Sequence, residues 1–350
     1  MKLRRFPLQC TFELTRRCNL RCPHCYVGSE RGISPEEELS TGQIFSLLDQ
    51  IAAEGCLFVT FTGGEPLLRS DFRDIFSYAL RKGFLVGIFS NATLIDEELA
   101  TFFKKYPPFY IDVTLNGVTP GTYEKMTGVR GSFERCLSAI GLLKKYDVPF
   151  RLKAVITRIN RHEIGEIRNF VRGMGKLLRF DTLLCARLDG SRDALASRLT
   201  PEEIISLDRE DEGKWSDLLD FACRQMGKTV SDRLYKCGGG LHSFHISSSG
   251  KLGLCVLDTN YSYDLLEGNF HEGWHRFIPA VRRIPLIKKI ECEGCRYRPI
   301  CRSCPAWSKL ETGSPDNPVE FLCRIAHLMG RELQKDMRLK NEQKEKVSQT

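Results

Sequence analysis

The chain has no run of the roughly 18 apolar residues that a membrane-spanning helix needs. It also lacks a secretory signal. Met1 to Gln9 is short and basic, and the apolar stretch that follows is broken by Glu13, Arg16 and Arg17. No basic stripe interleaved with aromatics accompanies the net charge of +8, so nucleic acid is not an expected partner. No repeat is found beyond a strand-then-helix rhythm. The residue in excess is cysteine, at 15 of 350. An odd count without an export signal disfavours a disulfide scaffold. In a reducing cytoplasm, where this chain is expected, clustered cysteines hold metal or do chemistry. Hydrophobic residues at 42% and charged residues at 27% describe an ordinary globular chain, long enough for one large domain and a smaller one.

Six short apolar runs read as buried parallel strands: Cys10 to Leu14, Leu57 to Thr62, Phe84 to Phe89, Tyr110 to Leu115, Phe150 to Ile156 and Leu177 to Cys185. Amphipathic stretches lie between them. Ser40 and Gln43 have capping-box spacing ahead of Ile44, Leu47, Leu48 and Ile51, and Gly55 suits the helix end. Asp71 to Lys82, Ser132 to Lys145 and Arg161 to Arg172 continue the pattern. This rhythm implies an incomplete (β/α) barrel or a doubly wound sheet. Thr200, Pro201 and Glu203 open a helix in what reads as a helical linker, residues 191–236. The following residues, 237–330, are rich in Cys, Gly and Pro and lack the periodicity for a core of their own, so bound metal is the expected stabiliser. Residues 331–350 form a charged tail, expected as a solvated helix or frayed end.

After the first strand comes Cys18-Asn19-Leu20-Arg21-Cys22-Pro23-His24-Cys25. Three thiolates so close together can hold one iron–sulfur cluster, and three ligands on a four-iron cube leave one iron open to a substrate group. The alternative is a zinc site short of one ligand. The spacing Cys-x3-Cys-x2-Cys, with an aromatic (His24) before the third Cys, resembles the radical S-adenosylmethionine (SAM) enzymes. The second strand ends in Gly63-Gly64-Glu65-Pro66, like the segment that meets the methionine amino group of SAM in that family. Asn91 after strand three and Thr114 after strand four, in Thr114-Leu115-Asn116-Gly117, stand where the family has ribose and carboxylate contacts. The resemblance implies an α/β fold, a partial (β/α)6 TIM-like barrel over residues 1–190, with SAM and a [4Fe–4S] cluster on Cys18, Cys22 and Cys25.

Seven further cysteines follow: Cys237, Cys255, then Cys292-x2-Cys295-x5-Cys301-x2-Cys304, and Cys323. Five residues between the two Cys-x2-Cys pairs are too few for a zinc ribbon and favour ligands shared between clusters. The order resembles the SPASM extension of radical SAM enzymes, which implies a small C-terminal iron–sulfur domain. By that resemblance Cys237, Cys255 and Cys304 hold one auxiliary [4Fe–4S] cluster, and Cys292, Cys295, Cys301 and Cys323 a second, three clusters in all. The first auxiliary cluster then lacks a fourth protein cysteine and is either open or completed by Asp232, Asp258 or a substrate group. Cys10, Cys56, Cys136, Cys185 and Cys223 read as small buried hydrophobes. His271 and His275 are four apart but have no carboxylate at ligand spacing, so they read as a packed or surface pair.

The resemblance implies reductive SAM cleavage to a 5′-deoxyadenosyl radical, which takes hydrogen from a substrate. The expected substrate is a ribosomally made precursor peptide, crosslinked or modified on a side chain. Only 17 residues precede Cys18, so a peptide leader is expected to bind a separate protein or the barrel itself. A flavodoxin or ferredoxin is the expected electron donor. Tetrapyrrole side-chain chemistry in haem synthesis is the enzymatic alternative. A non-catalytic iron–sulfur or zinc protein is the alternative of another class.

Overall fold

The computed structural model describes residues 5–28, 34, 37–228, 232–286, 292 and 294–348. It divides into two units: a barrel unit of residues 1–198 and 237–283, and a helical unit of residues 199–236 and 284–350. This differs from the boundaries expected above. The stretch 237–283 belongs with the barrel because it supplies strands to the barrel's own sheet. The supposed linker belongs with the C-terminal residues.

The six expected strands all form: β1 (Gln9–Thr15), β2 (Phe58–Gly63), β3 (Leu85–Ser90), β4 (Tyr110–Thr114), β5 (Phe150–Val155) and β6 (Arg179–Asp181). They pair in sequence and in parallel. Three more strands extend the sheet beyond β1: β7 (Ser243–Ile246), β8 (Lys251–Gly253) and β9 (Tyr263–Asp264). β7 lies parallel to β1, and β8 and β9 run antiparallel, giving the order β6-β5-β4-β3-β2-β1-β7-β8-β9. The sixth strand is shorter than its apolar run, with Leu177 88% exposed outside it.

Helices α1 (Thr41–Ala53), α2 (Phe72–Arg81), α3 (Glu97–Lys105), α4 (Pro120–Thr127), α5 (Ser132–Lys145) and α6 (Ile164–Gly173) intervene between the strands. The signals read from sequence are the ones used. Ser40 caps α1 with the reciprocal Gln43 bond, and Gly55 follows at φ 82°. The apolar stripe of α1 (Ile44, Leu47, Leu48, Ile51) is buried. One face of the sheet packs on such stripes through Phe12, Phe61, Ile88, Val113 and Leu152, all fully buried. A helical stretch after β9 comprises α9 (Phe270–Glu272), a π-turn (Gly273–Phe277) and α10 (Ile278–Arg283). Trp274 there is fully buried against Phe244 and Phe270.

The helical unit contains α7 (Pro201–Glu210), α8 (Glu212–Gln225), α11 (Pro305–Thr312) and α12 (Glu320–Ser348). α7 has the expected Thr200/Glu203 capping box. The expected charged tail is the later part of α12, whose Leu333 is buried. Among the described residues no helix is long and apolar enough to cross a membrane.

Ser40→Ala removes a side-chain acceptor at the start of α1 and one half of its capping box. It is expected to cost about 1 kcal/mol, read as a lower denaturation midpoint with unchanged secondary structure by circular dichroism.

Candidate active site

The three N-terminal cysteines sit on the loop that leaves β1, at the carboxyl ends of the parallel strands, where β/α folds place chemistry. This loop is stitched to its neighbours by backbone bonds on three sides. Gly64 and Glu65 donate their N–H groups to the carbonyls of Thr15 (2.8 Å) and Arg17 (2.9 Å). Arg21 N–H donates to Thr127 O (2.7 Å) at the end of α4, and Leu188 N–H to Tyr26 O (2.8 Å). Glycine makes the first approach possible. A Cβ on Gly63, at φ 148°, would stand 2.0 Å from Thr15 O, and one on Gly64 would stand 2.3 Å from Arg17 O. Gly128, at the second contact, is at φ 69°, and a Cβ there would stand 2.6 Å from Arg21 O. The two glycines of the Gly-Gly-Glu-Pro segment therefore bring this backbone against the cysteine loop.

Side chains reinforce the stitching. Glu38 is buried and receives Arg17 through Nε (3.2 Å) and Nη2 (3.1 Å), with Thr15 Oγ1 donating to it as well. Arg69 approaches the same carboxylate at 3.6 Å while holding Asp71 and donating to Leu14 O. Glu65 is fully buried. It accepts from Leu67 N–H (3.1 Å), Ser90 Oγ (2.9 Å) and Asn91 N–H (2.8 Å), tying the end of β2 to the end of β3. Burial pushes its carboxyl up to about 7 against these donors and the field of Lys153. Pro66 opens a single 3₁₀ turn, Pro66–Leu68, capped by Glu65.

Asn91 faces the cysteine loop. Its Nδ2 donates to Asn19 Oδ1 (2.9 Å) and lies 3.9 Å from Cys18 Sγ, which also accepts from Leu20 N–H at 3.4 Å. Donors aimed at a sulfur suit a thiolate that ligates iron, because they stabilise its charge. The donor set fits a cluster at Cys18, Cys22 and Cys25. Ala92, next in line, is held at φ 62°, an uncommon conformation for alanine. His24 and Thr114 are half-buried at the same end of the sheet. Asn116 is buried and accepts from Val155 N–H (2.9 Å), so its side chain joins β4 to β5.

The inner face of the sheet carries charges that the apolar reading of the strands passed over. Asp112 on β4 is buried and receives Arg151 (2.6 Å) from β5 and Arg179 (3.3 Å) from β6. Between them Lys153 lies 3.7 Å from the ring centre of Phe89, with no ion pair among the described residues. Burial above all, with Arg179 and Arg151 alongside, brings its ammonium down to about 8 against the pull of Asp112. On the opposite wall Glu13 is fully buried. Its Oε1 receives Arg16 Nε (2.9 Å) and Ser248 Oγ (3.1 Å), while Oε2 has no partner among the described residues. Buried His245 donates from Nδ1 to Thr11 O (3.0 Å), and burial lowers its pKa, leaving the ring neutral. The signal for all of these was charge at alternate positions of otherwise apolar strands.

The remaining cysteines divide between the units. Cys237 (exposed) and Cys255 (half-buried) flank β7 and β8 in the barrel unit. Asp258, expected as a possible ligand, is buried and receives Asn260 N–H (3.1 Å) and Nδ2 (2.9 Å). Cys292, Cys295, Cys301, Cys304 and Cys323 lie in the helical unit. Cys301 feels the charge of Cys292 and Cys295, and burial raises its pKa. Cys295 Sγ is 3.5 Å from His327 Nε2, a neighbour the sequence reading missed. Cys323 and His327 line a cavity of about 400 Å³ with Arg324 and Arg331. Asp232 is exposed and pairs at 3.8 Å with Arg298. Cys10, Cys56 and Cys136 are buried as expected, but Cys185 is half-buried and Cys223 exposed, so neither is core filler.

The family model of the Radical SAM superfamily matches residues 12–171, a span that contains the cysteine loop and the Gly-Gly-Glu-Pro segment. Those residues are a radical SAM domain. The chain is 27% identical to an AdoMet-dependent heme synthase of Methanosarcina barkeri over 327 residues, 88% of this chain and 93% of the relative. It is 25% identical to the sporulation killing factor maturation protein SkfB of Bacillus subtilis over 320 residues, 90% of this chain and 72% of that one. The fold is similar to that of Streptococcus suis SuiB bound to precursor peptide SuiA, with TM-score 0.70 and 17% identity over 91% of this chain and 76% of that one. The domain implies SAM and a [4Fe–4S] cluster as cofactors.

Gly64→Ala forces a Cβ onto a backbone carbonyl that cannot swing aside. It is expected to cost about 1–3 kcal/mol and to lower iron retention after reconstitution. Gly42→Ala, where nothing lies within 4 Å, is the control and is expected to stabilise α1 by roughly 0.5–1 kcal/mol. For Glu65 the folded carboxyl keeps its proton to higher pH than the unfolded one, so protonation favours the fold. That contribution is complete below the ordinary value of 4.5 and is lost as pH rises through about 7. Urea titrations of the apo chain across this window should show that slope in the wild type. Glu65→Gln, which cannot ionise, should lack it.

Proposed function

We propose that this enzyme modifies a ribosomally made peptide by abstracting hydrogen from one of its side chains. The observation that carries the reading is the alignment of a maturation protein, SkfB, along 90% of the chain. The fold shared with SuiB, solved with a precursor peptide, supports it. When bound, SAM and the cluster supply one-electron cleavage of the sulfonium and a radical able to take hydrogen. Cys18, Cys22 and Cys25 would hold that cluster, with Asn91 and Leu20 donating toward Cys18. Gly63 to Pro66, Thr114 and His24 would border the SAM site.

The chain's own groups would set what enters. Arg151, Lys153 and Arg179 outnumber Asp112 on one wall, so a substrate carboxylate would be drawn there. Glu13 and neutral His245 on the other wall can accept a proton or a substrate N–H. We assign Cys237, Cys255, Cys292, Cys295, Cys301, Cys304 and Cys323 to auxiliary clusters, with a flavodoxin or ferredoxin as electron donor. A second reading, tetrapyrrole chemistry, is favoured by the heme synthase relative matched along 93% of its length and by the same cationic wall, which suits propionates.

Anaerobic reconstitution should give about 12 iron atoms per chain for three four-iron clusters. SAM with dithionite should then yield 5′-deoxyadenosine. Cys22→Ala should abolish that product, and Cys295→Ala should retain uncoupled cleavage while losing modified substrate. Incubation with the peptide encoded beside the gene should give a loss of two hydrogens by mass spectrometry. Conversion of iron coproporphyrin III, with the peptide unchanged, would replace the peptide reading by the tetrapyrrole one.

A further inference from the structure

A cluster of ligand groups lies at the opposite end of the strands from the cysteine loop, where α1 ends and β2 is about to begin. Glu54, the C-cap of α1, points both carboxylate oxygens at histidines more than 200 positions later. His271 Nδ1 is 2.5 Å from Oε1, and His275 Nε2 is 2.9 Å from Oε2. No carboxylate stands at ligand spacing from these histidines along the chain; α1 supplies one from more than 200 positions away. One ligand atom from each of the three residues lies within 4.8 Å of the other two. We propose that Glu54, His271 and His275 bind a single divalent transition-metal ion, of which zinc is the natural occupant.

Three independent features support this. The donor set, two imidazoles and one carboxylate, is one that zinc takes in tetrahedral sites, leaving a fourth position for water. His271 precedes the π-turn Gly273–Phe277 and His275 lies within it, and their ring centres are 4.5 Å apart. Glu54 is also a carboxylate at the negative end of a helix that has no basic residue in its last turn. Helix polarity disfavours an anion there and favours a cation. Both histidines are exposed, so an ion can reach them from solvent.

The ion would act as a staple. Gln50 Oε1 already accepts from Phe270 N–H (2.8 Å) beside the cluster. At the far end of the same helical stretch, Arg282 donates to Cys237 O (3.0 Å) and to Gly239 O. Metal at Glu54 would fix the near end of the stretch whose far end supports the Cys237 loop.

The test uses holoenzyme with its iron–sulfur clusters intact, washed with a mild chelator, loaded with zinc(II) and desalted. Wild type should retain one zinc per chain that Glu54→Gln and His275→Asn each lose, with at least tenfold weaker binding by calorimetry. X-ray absorption at the zinc edge should show a shell of nitrogen and oxygen with imidazole scattering. Equal retention in the variants, a sulfur-rich shell, or no retained zinc in wild type would each overturn the proposal. Circular dichroism on both variants separates loss of metal from loss of fold.

Discussion

The contact on which the site depends is a backbone one: the seam between Gly63–Glu65 and Thr15–Arg17. Peptide groups from the ends of two adjacent strands bond to each other just past the point where the ladder stops. Only glycine fits, since a Cβ at either Gly63 or Gly64 would overlap a carbonyl oxygen. This fixes the first residues of the cysteine loop relative to the sheet. The Arg21–Thr127 and Tyr26–Leu188 bonds then fix its middle and end. A loop held by main chain at three places needs little side-chain packing to keep three thiols in register. That leaves its surface available to cofactor and substrate.

The Glu65 and Asn91 side chains extend the same logic. Each serves its neighbours before it serves any ligand, Glu65 by collecting donors from β2 and β3 and Asn91 by bridging to Asn19 and Thr93. Burying the Glu65 carboxylate is costly, and three donors offset that cost. Behind this rim the inner wall is polar. A closed barrel fills its interior with apolar layers, whereas this open sheet lines it with Asp112, Arg151, Lys153, Arg179, Glu13 and His245. The helix-facing side of the sheet carries its buried apolar residues.

Local signals were legible. The Ser40 and Thr200 capping boxes, the end of α5 at Lys145 and all six parallel strands follow from residues within a few positions of each other. The Cys-x3-Cys-x2-Cys loop and Gly-Gly-Glu-Pro were legible for the same reason. What escaped was non-local. β7 joins β1 across more than 220 residues, a pairing that no pattern local to Cys237 shows. His245 and Ser248 reach the β1 wall by the same crossover, and Glu54 reaches its histidines from another helix. The glycines were legible as close-approach residues, but the structure shows that the partner approached is the chain itself.

The two sets of cysteines are also held in different electrostatic settings. Cys18 is surrounded by neutral N–H donors from Leu20 and Asn91. In the helical unit the cation of Lys236 stands near two of the thiols. Lys236 feels the fields of Cys301 and Cys292, and burial together with Arg298 lowers its pKa while those thiols raise it. Hydrogen bonds and nearby charge are both levers on a cluster's potential. Positive charge beside a thiolate-bound centre stabilises its reduced state more strongly than a neutral dipole does, because the added electron is itself a full charge.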